Sequence, residues 1–183
     1  MTVNFSVGFS PFDACAAPYT SVSAIQGTGS DAAVTGTVTT QGVVVGDFEG
    51  PTNVGLQGFY LQDPVGDGND LTSDGIFVFT GNVNTVSAGE LVRVTGFARE
   101  RFSQTTMNGT NSNTTPVPPT SIVHCGPGVQ PSPVDVMLPF ESVDFPERYE
   151  GMLVRVPQQL VISEYFNYER FGELVLALPL DGE

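Results

Sequence analysis

Short apolar runs rich in β-branched and aromatic residues, each bounded by Gly, Pro or Asn, recur along this chain and predict strands rather than helices. The first run extends from Val34 to about Phe48 and contains Gly36, Gly42 and Gly46. Glycines inside a long strand mark bulges or sharp coiling. The second run spans about Leu56 to Gln62, the third Ile76 to Thr80 and the fourth Glu90 to Phe102, with a short polar connection over 81–89. A long Asn/Thr/Pro loop from Met107 to Pro119 precedes a fifth run, Ser121 to Cys125. Residues 1–30 read as an irregular arm, because Pro11, Pro18 and Gly27-Thr28-Gly29 break any regular element. No stretch predicts a long helix.

Five strands, the first long and glycine-kinked, predict an all-β chain built on a five-stranded OB-fold barrel, a partly open Greek-key barrel. An immunoglobulin-like sandwich is the competing architecture. It calls for about seven strands and a core Trp, and this chain has no Trp. The expected organisation is the arm over 1–30, the barrel over 31–125, a Pro/Gly linker over 126–135 and a strand-rich extension over 136–183. The extension carries runs at Met152–Val156, Leu160–Glu164 and Leu174–Leu178. Gly89-Glu90-Leu91-Val92-Arg93-Val94 is echoed by Glu150-Gly151-Met152-Leu153-Val154-Arg155-Val156. Either a second, incomplete OB-like unit begins there, or two amphipathic strands happen to be alike.

Composition narrows the function. The 183 residues suffice for one comfortable core, and 40% hydrophobic content marks a globular chain. Twenty acidic residues face six basic ones, giving a formal net charge of −14. All six are Arg, at 93, 99, 101, 148, 155 and 170. Such a field repels polyanions and argues against tight, non-specific nucleic-acid binding by this segment alone. Salty surroundings or bound cations would screen it. Two cysteines, Cys15 and Cys125, in a Gly/Pro-rich chain predict an extracellular disulfide; two unrelated buried thiols are the alternative. No apolar stretch approaches the roughly 20 residues that span a bilayer. Residues 1–20 lack the basic and apolar regions of a signal peptide. The expectation is an excised piece of a longer exported protein, cut at Leu180-Asp181-Gly182-Glu183.

The loop between the second and third strands holds four carboxylates, Asp63, Asp67, Asp70 and Asp74. Calcium takes oxygen ligands of this type. Asp63, Asp67 and Asn69 match part of the EF-hand loop spacing, but Val65 stands where a ligand is expected, and the bidentate Glu and flanking helices are missing. Asp63, Asp67, Asn69 and Asp74 are the candidate Ca2+ ligands. The alternative is a polar hairpin loop whose Asp, Asn and Gly serve the backbone.

The fourth strand offers a different chemistry. Period-two alternation puts Arg93, Thr95, Phe97, Arg99 and Arg101 on one face and Val92, Val94, Gly96, Ala98 and Phe102 on the other, with Glu100 the exception. OB-folds bind single strands by stacking bases on aromatics and tracking phosphates with basic groups. Arg93, Phe97, Arg99 and Arg101, joined by Tyr60, are therefore the candidate nucleic-acid contacts. The alternative is a solvated face whose arginines pair with acidic neighbours at little energetic gain. A second aromatic cluster, Tyr165, Phe166, Tyr168 and Phe171, suits a stacking surface, a hairpin core or a contact for another domain.

The order of motifs carries a resemblance. Ile25-Gln26-Gly27-Thr28-Gly29 is followed by Val43-Val44-Val45-Gly46-Asp47-Phe48, Gly58-Phe59-Tyr60-Leu61-Gln62-Asp63-Pro64 and Thr72-Ser73-Asp74-Gly75-Ile76-Phe77-Val78. Then come Leu91-Val92-Arg93-Val94-Thr95-Gly96, Arg148-Tyr149-Glu150-Gly151-Met152-Leu153-Val154 and Arg170-Phe171-Gly172-Glu173-Leu174. Over roughly residues 20–178 the set resembles the OB-fold region of large secreted bacterial nucleases. The resemblance implies export, a role in degrading extracellular DNA, and a separate endonuclease/exonuclease/phosphatase-type domain. That domain would hydrolyse phosphodiesters with a divalent metal. The chain has one histidine, His124, with no carboxylate partner at a recognisable spacing, so no catalytic residue is carried over. The expectation is a non-catalytic module that engages DNA or positions neighbouring domains of the same polypeptide. The alternative is a structural or protein-interaction scaffold without nucleic-acid contact. An independent hydrolase has no base or nucleophile constellation to support it.

Overall fold

The computed structural model describes residues 11–50, 56–112, 114–171 and 173–180. Its strands are β1 (Gly36–Phe48), β2 (Gly58–Gln62), β3 (Gly75–Phe79), β4 (Glu90–Glu100), β5 (Thr105–Asn108) and β6 (Ser121–Pro127). Four short ones follow: β7 (Val134–Asp135), β8 (Val154–Arg155), β9 (Val161–Glu164) and β10 (Val175–Ala177). Helix is confined to short segments, α1 (Pro11–Ala16), α2 (Val22–Gln26), α3 (Tyr168–Phe171) and a 3-10 turn at Phe145–Tyr149.

The first five strands close into a barrel. β1 pairs with β2, β2 with β3, β3 with β5, β5 with β4, and β4 again with β1. Within the barrel, β3–β5 is the parallel pair and the others are antiparallel. This closed order, with a parallel pair at the third and fifth strands, is the OB-fold barrel expected from the glycine-kinked first strand. β1 closes it by serving two neighbours: Gly36–Val43 lie against β4 and Val43–Phe48 against β2. Gly42 sits at the crossover, where a Cβ would stand 2.6 Å from the Gln62 carbonyl oxygen. A bulge between Val44 and Gly46 adds the coiling.

The fifth barrel strand is Thr105–Asn108, and the run at 121–125 forms β6, which adds to the outside of β4. Thr105-Thr106-Met107-Asn108 escapes a pattern search because only Met107 enters the apolar core. The strand is reached through a tight reversal at Phe102 and Ser103, whose φ angles are 56° and 57°.

The core fills with the inward residues of the barrel, including Val44, Phe59, Leu61, Ile76, Val78, Val92, Val94 and Met107. α2 plugs one end with Val22 and Ile25, both fully buried. It is short but capped: the Ser21 hydroxyl accepts the Ala24 N–H, and the Gly27 N–H, at φ 75°, closes on the Ser23 carbonyl. The expected disulfide is present. Cys15 in α1 bonds Cys125 in β6 across 110 residues of chain, with Cα atoms 5.8 Å apart. Residues beyond the barrel form the β7–β8 pair and the β9–β10 hairpin. Among the described residues no helix is long and apolar enough to cross a membrane.

Candidate nucleic-acid interface

Strand alternation sends Phe59, Leu61, Ile76 and Val78 inward, so Tyr60 and Phe77 point outward from adjacent strands. Cross-strand pairing continues the row: Gly46 lies opposite Tyr60, Tyr60 opposite Phe77, Phe77 opposite Thr106, and Thr106 opposite Arg99. Phe48, 47% exposed, packs edge-on to Tyr60 at 5.9 Å between ring centroids, and Tyr60 meets Phe77 at 5.1 Å. Glycine at position 46 leaves room for this cluster, since a Cβ there would meet the Phe48 ring at 2.7 Å.

The turn joining β4 to β5 adds charge to this aromatic face. Arg101 and Gln104 exchange backbone hydrogen bonds around Phe102 and Ser103. Both central residues have positive φ, the requirement of a type I′ hairpin, which favours Asn-Gly. A bulky aromatic there is strained by about 1–3 kcal/mol, and such strain points toward function. Phe102 is 78% exposed. The Arg101 guanidinium lies 4.8 Å from the Phe102 ring centre and 5.4 Å from that of Phe79. The Gln104 amide donates to the Tyr60 hydroxyl at 3.3 Å. A hollow of about 190 Å³ opens among Tyr60, Phe77, Arg101, Phe102, Gln104 and Thr106. A groove of about 400 Å³ lies on the other side of Tyr60, bounded by Phe48 and by Gly151–Val154.

The structure thus brings Tyr60 and Arg101 together and separates them from the other residues of the β4 face. Arg93 is only 8% exposed; it donates to the Ala17 carbonyl at 2.6 Å, to the Pro18 carbonyl and to Gln41 Oε1. It holds the N-terminal segment on the barrel. Arg99 is 5% exposed and donates to the Ser112 carbonyl at 2.8 Å. Burial, then the charge of Arg101, holds its pKa below the ordinary arginine value. Phe97 is half-buried between Thr37 and Asn108. Phe48, Phe77 and Phe102 join the site without having been expected there. Alternation in the second and third strands could have found Phe77. Nothing local marks Phe102, which the turn rotates outward.

The four candidate calcium ligands shape their own loop. Asp63 Oδ1 accepts the N–H groups of Val65 and Gly66, at 3.0 and 3.2 Å. Asp67 Oδ1 accepts that of Asn69 at 2.8 Å, Asn69 Oδ1 that of Leu71 at 3.2 Å, and Asp74 Oδ1 that of Asp67 at 3.3 Å. The Asn69 N–H holds the Asp67 carboxyl below its ordinary value. Burial, then the charges of Asp67 and Asp63, raise Asp74. Among the described residues no group of three His, Cys, Asp or Glu side chains is arranged to hold a metal ion. His124 is exposed, with Nδ1 3.3 Å from Glu90 Oε2.

Comparison of the chain with protein-family models, with curated proteins and with solved structures found no significant match.

Proposed function

We propose that this chain is a non-catalytic OB-fold module of an exported bacterial nuclease, and that its aromatic face engages single-stranded DNA. The observation that carries the reading is the Phe48–Tyr60–Phe77 cluster beside Arg101 and the strained, exposed Phe102. OB barrels present ligands on the face of their second and third strands. Base–aromatic stacking is worth about 1–3 kcal/mol per base and tolerates any sequence. Unstacked bases reach such a face and paired ones do not. The disulfide supports an oxidising compartment. Calcium at the Asp63–Asp74 loop would relieve the crowding of Asp63, Asp67 and Asp74 and screen the approach of DNA.

Anisotropy of a labelled oligo-dT and of a duplex, at low salt with calcium or chelator, tests this. The single strand should bind, the duplex should bind less, and Tyr60→Ala should weaken binding about tenfold, the cost of one lost stack. Equal binding of both forms, or an indifferent Tyr60→Ala, refutes the face. The second reading, a scaffold without nucleic-acid contact, draws on the net charge of −14 and on the exposed Ile162, Tyr165, Phe166 and Leu176 around the β9–β10 hairpin. Absence of binding in every condition favours it.

A further inference from the structure

The groove beside Tyr60 has one wall that does not belong to the barrel. After the 3-10 turn at Phe145–Tyr149 the chain runs outward over β2 and β3, and Gly151–Val154 face Gly46, Phe48 and Tyr60 across the groove. Backbone lies directly on backbone: a Cβ at Gly75 would stand 2.2 Å from the Gly151 carbonyl carbon. Gly151 itself has φ 70°. Among the described residues no ladder joins this segment to the barrel, and β8 pairs with β7. Individual bonds hold it instead. The Ser73 hydroxyl donates to the Glu150 carbonyl at 2.6 Å, and the Leu153 N–H donates to Gln62 Oε1 at 2.8 Å. The Thr105 N–H donates to both Glu150 carboxylate oxygens, at 3.1 and 3.0 Å.

We infer that residues 149–154 form a displaceable strap over the aromatic face, anchored by the Glu150 side chain, and that ionisation of Glu150 loosens it.

Among the described residues, the charges that bear on Glu150 are acidic. Glu100 comes from β4 and Glu147 from the 3-10 turn, while Gln26 of α2 offers a hydrogen bond. Asp31, ahead of β1, adds its charge to Glu100 and Glu147. Glu100 Oε2 accepts the Thr105 hydroxyl at 3.1 Å, and burial raises the Glu100 carboxyl as well. Burial first, and then Glu100 and Glu147, push the Glu150 carboxyl up to about 7 against the opposing Thr105 and Gln26 bonds. The protonated side chain keeps an oxygen for the Thr105 N–H and adds no charge. The ionised one adds a negative charge beside Glu100 and Glu147. The strap is therefore tightest in mild acid and loosens as pH rises through neutrality.

This functional consequence rests on the aromatic face being the ligand surface; the strap's own behaviour does not. Amide-exchange protection factors, corrected for intrinsic rates, separate the two. Leu153 should be less protected than Val78 in the core at either pH, and between about pH 5.5 and pH 8 its own protection should fall at least about tenfold, a decade or more of linkage. Glu150→Gln, which keeps the acceptor and removes the charge, should flatten that profile. Should this variant not fold, Glu147→Gln should reduce the fall. Leu153 as well protected as Val78, or Leu153 protection unchanged between the two pH values, overturns the strap. Oligo-dT affinity of the wild-type chain should rise with pH, whereas plain repulsion from a more acidic protein would lower it. Loss of Leu153 protection without oligonucleotide binding at any pH sustains the strap and refutes only the DNA reading.

Discussion

The reversal at Phe102-Ser103 is where the fold and the proposed function would pull in opposite directions, and it allows a direct test. Replacing the pair by Phe102→Asn with Ser103→Gly installs the residues that a type I′ hairpin favours. Left-handed backbone costs an ordinary residue roughly 1–2 kcal/mol, and Asn and Gly relieve most of it at both positions. Against this stands the lost stacking of Arg101 on the Phe102 ring, worth about 0.5–1 kcal/mol at an exposed site. Phe102 is 78% exposed, so little apolar burial is lost with it. The net expectation is a gain of about 1 kcal/mol in fold stability, read as a higher urea midpoint at unchanged slope. The same variant should bind oligo-dT about tenfold more weakly, having lost one stacking surface. A stabilised protein that binds less well would be a local instance of the stability–activity trade-off. If the variant is less stable than the parent, Phe102 is held by packing and not by strain. If binding is unchanged, the exposed ring takes no part in recognition and the aromatic face loses its strongest support.

The remaining predictions concern the frame around the site. Removing the disulfide by Cys15→Ser with Cys125→Ser frees a 110-residue loop and should cost about 5 kcal/mol in the chain-entropy account; a loss under about 1 kcal/mol in urea unfolding would show that account inapplicable here. Gly75→Ala drives a methyl into the Gly151 backbone, so it should destabilise by about 1–3 kcal/mol through overpacking and lower Leu153 protection by more than it lowers that of Val78. Stability should also depend on pH with two signs. Glu150, raised to about 7, contributes stability that is fully present below the ordinary carboxylate range and lost as pH rises through neutrality. Glu49 is raised by burial but lowered overall by hydrogen bonds from Thr80, Thr85 and Val86, so its contribution is present above that range and lost on acidification. Melting curves should therefore show a maximum in mild acid and a decline toward pH 8.

Local pattern carried the barrel further than it carried the site. The glycines at 36, 42 and 46 announced bulges or sharp coiling in the long first strand, and β1 bends at Gly42 to serve two partners. The fifth strand stayed hidden because Thr105, Thr106 and Asn108 are buried by pairing with β3 and β4 and not by apolar character. α2 lay unseen in the expected arm, although Ser21 followed by Val22 and Ile25 is a capped turn with one apolar side. Alternation along β4 assigned Arg93, Arg99 and Arg101 to one face but could not say what lies over it. Residues 17–18 cover Arg93 and the Ser112 loop covers Arg99. Both covers come from distant chain, so period-two reasoning has no access to them. Tyr60 and Arg101 belonged together for a reason equally non-local, the placement of β5 between β3 and β4.

The arginines bear on how so acidic a chain would engage a polyanion under the proposed function. Arg155 pairs with Asp135 in a two-pronged contact at 2.6 and 2.8 Å. Arg93 and Arg99 are committed to carbonyl oxygens, while Arg101 and Arg148 lie on aromatic rings. Of these five, Arg101 alone stands on the aromatic face with its charge toward the hollow. One phosphate contact gives a salt slope of about −0.7 for a single strand. Screening of the repulsion from a net charge of −14 acts in the opposite direction. Binding by this face should therefore be nearly flat in salt, with a slope shallower than about −1. Recognition would rest on stacking, whose strength does not depend on ionic strength in this way. Anisotropy titrations of oligo-dT from low to physiological salt measure the slope directly. A steep negative slope would require several cations at the contact, which the aromatic face does not offer, and would move the DNA site elsewhere on the chain.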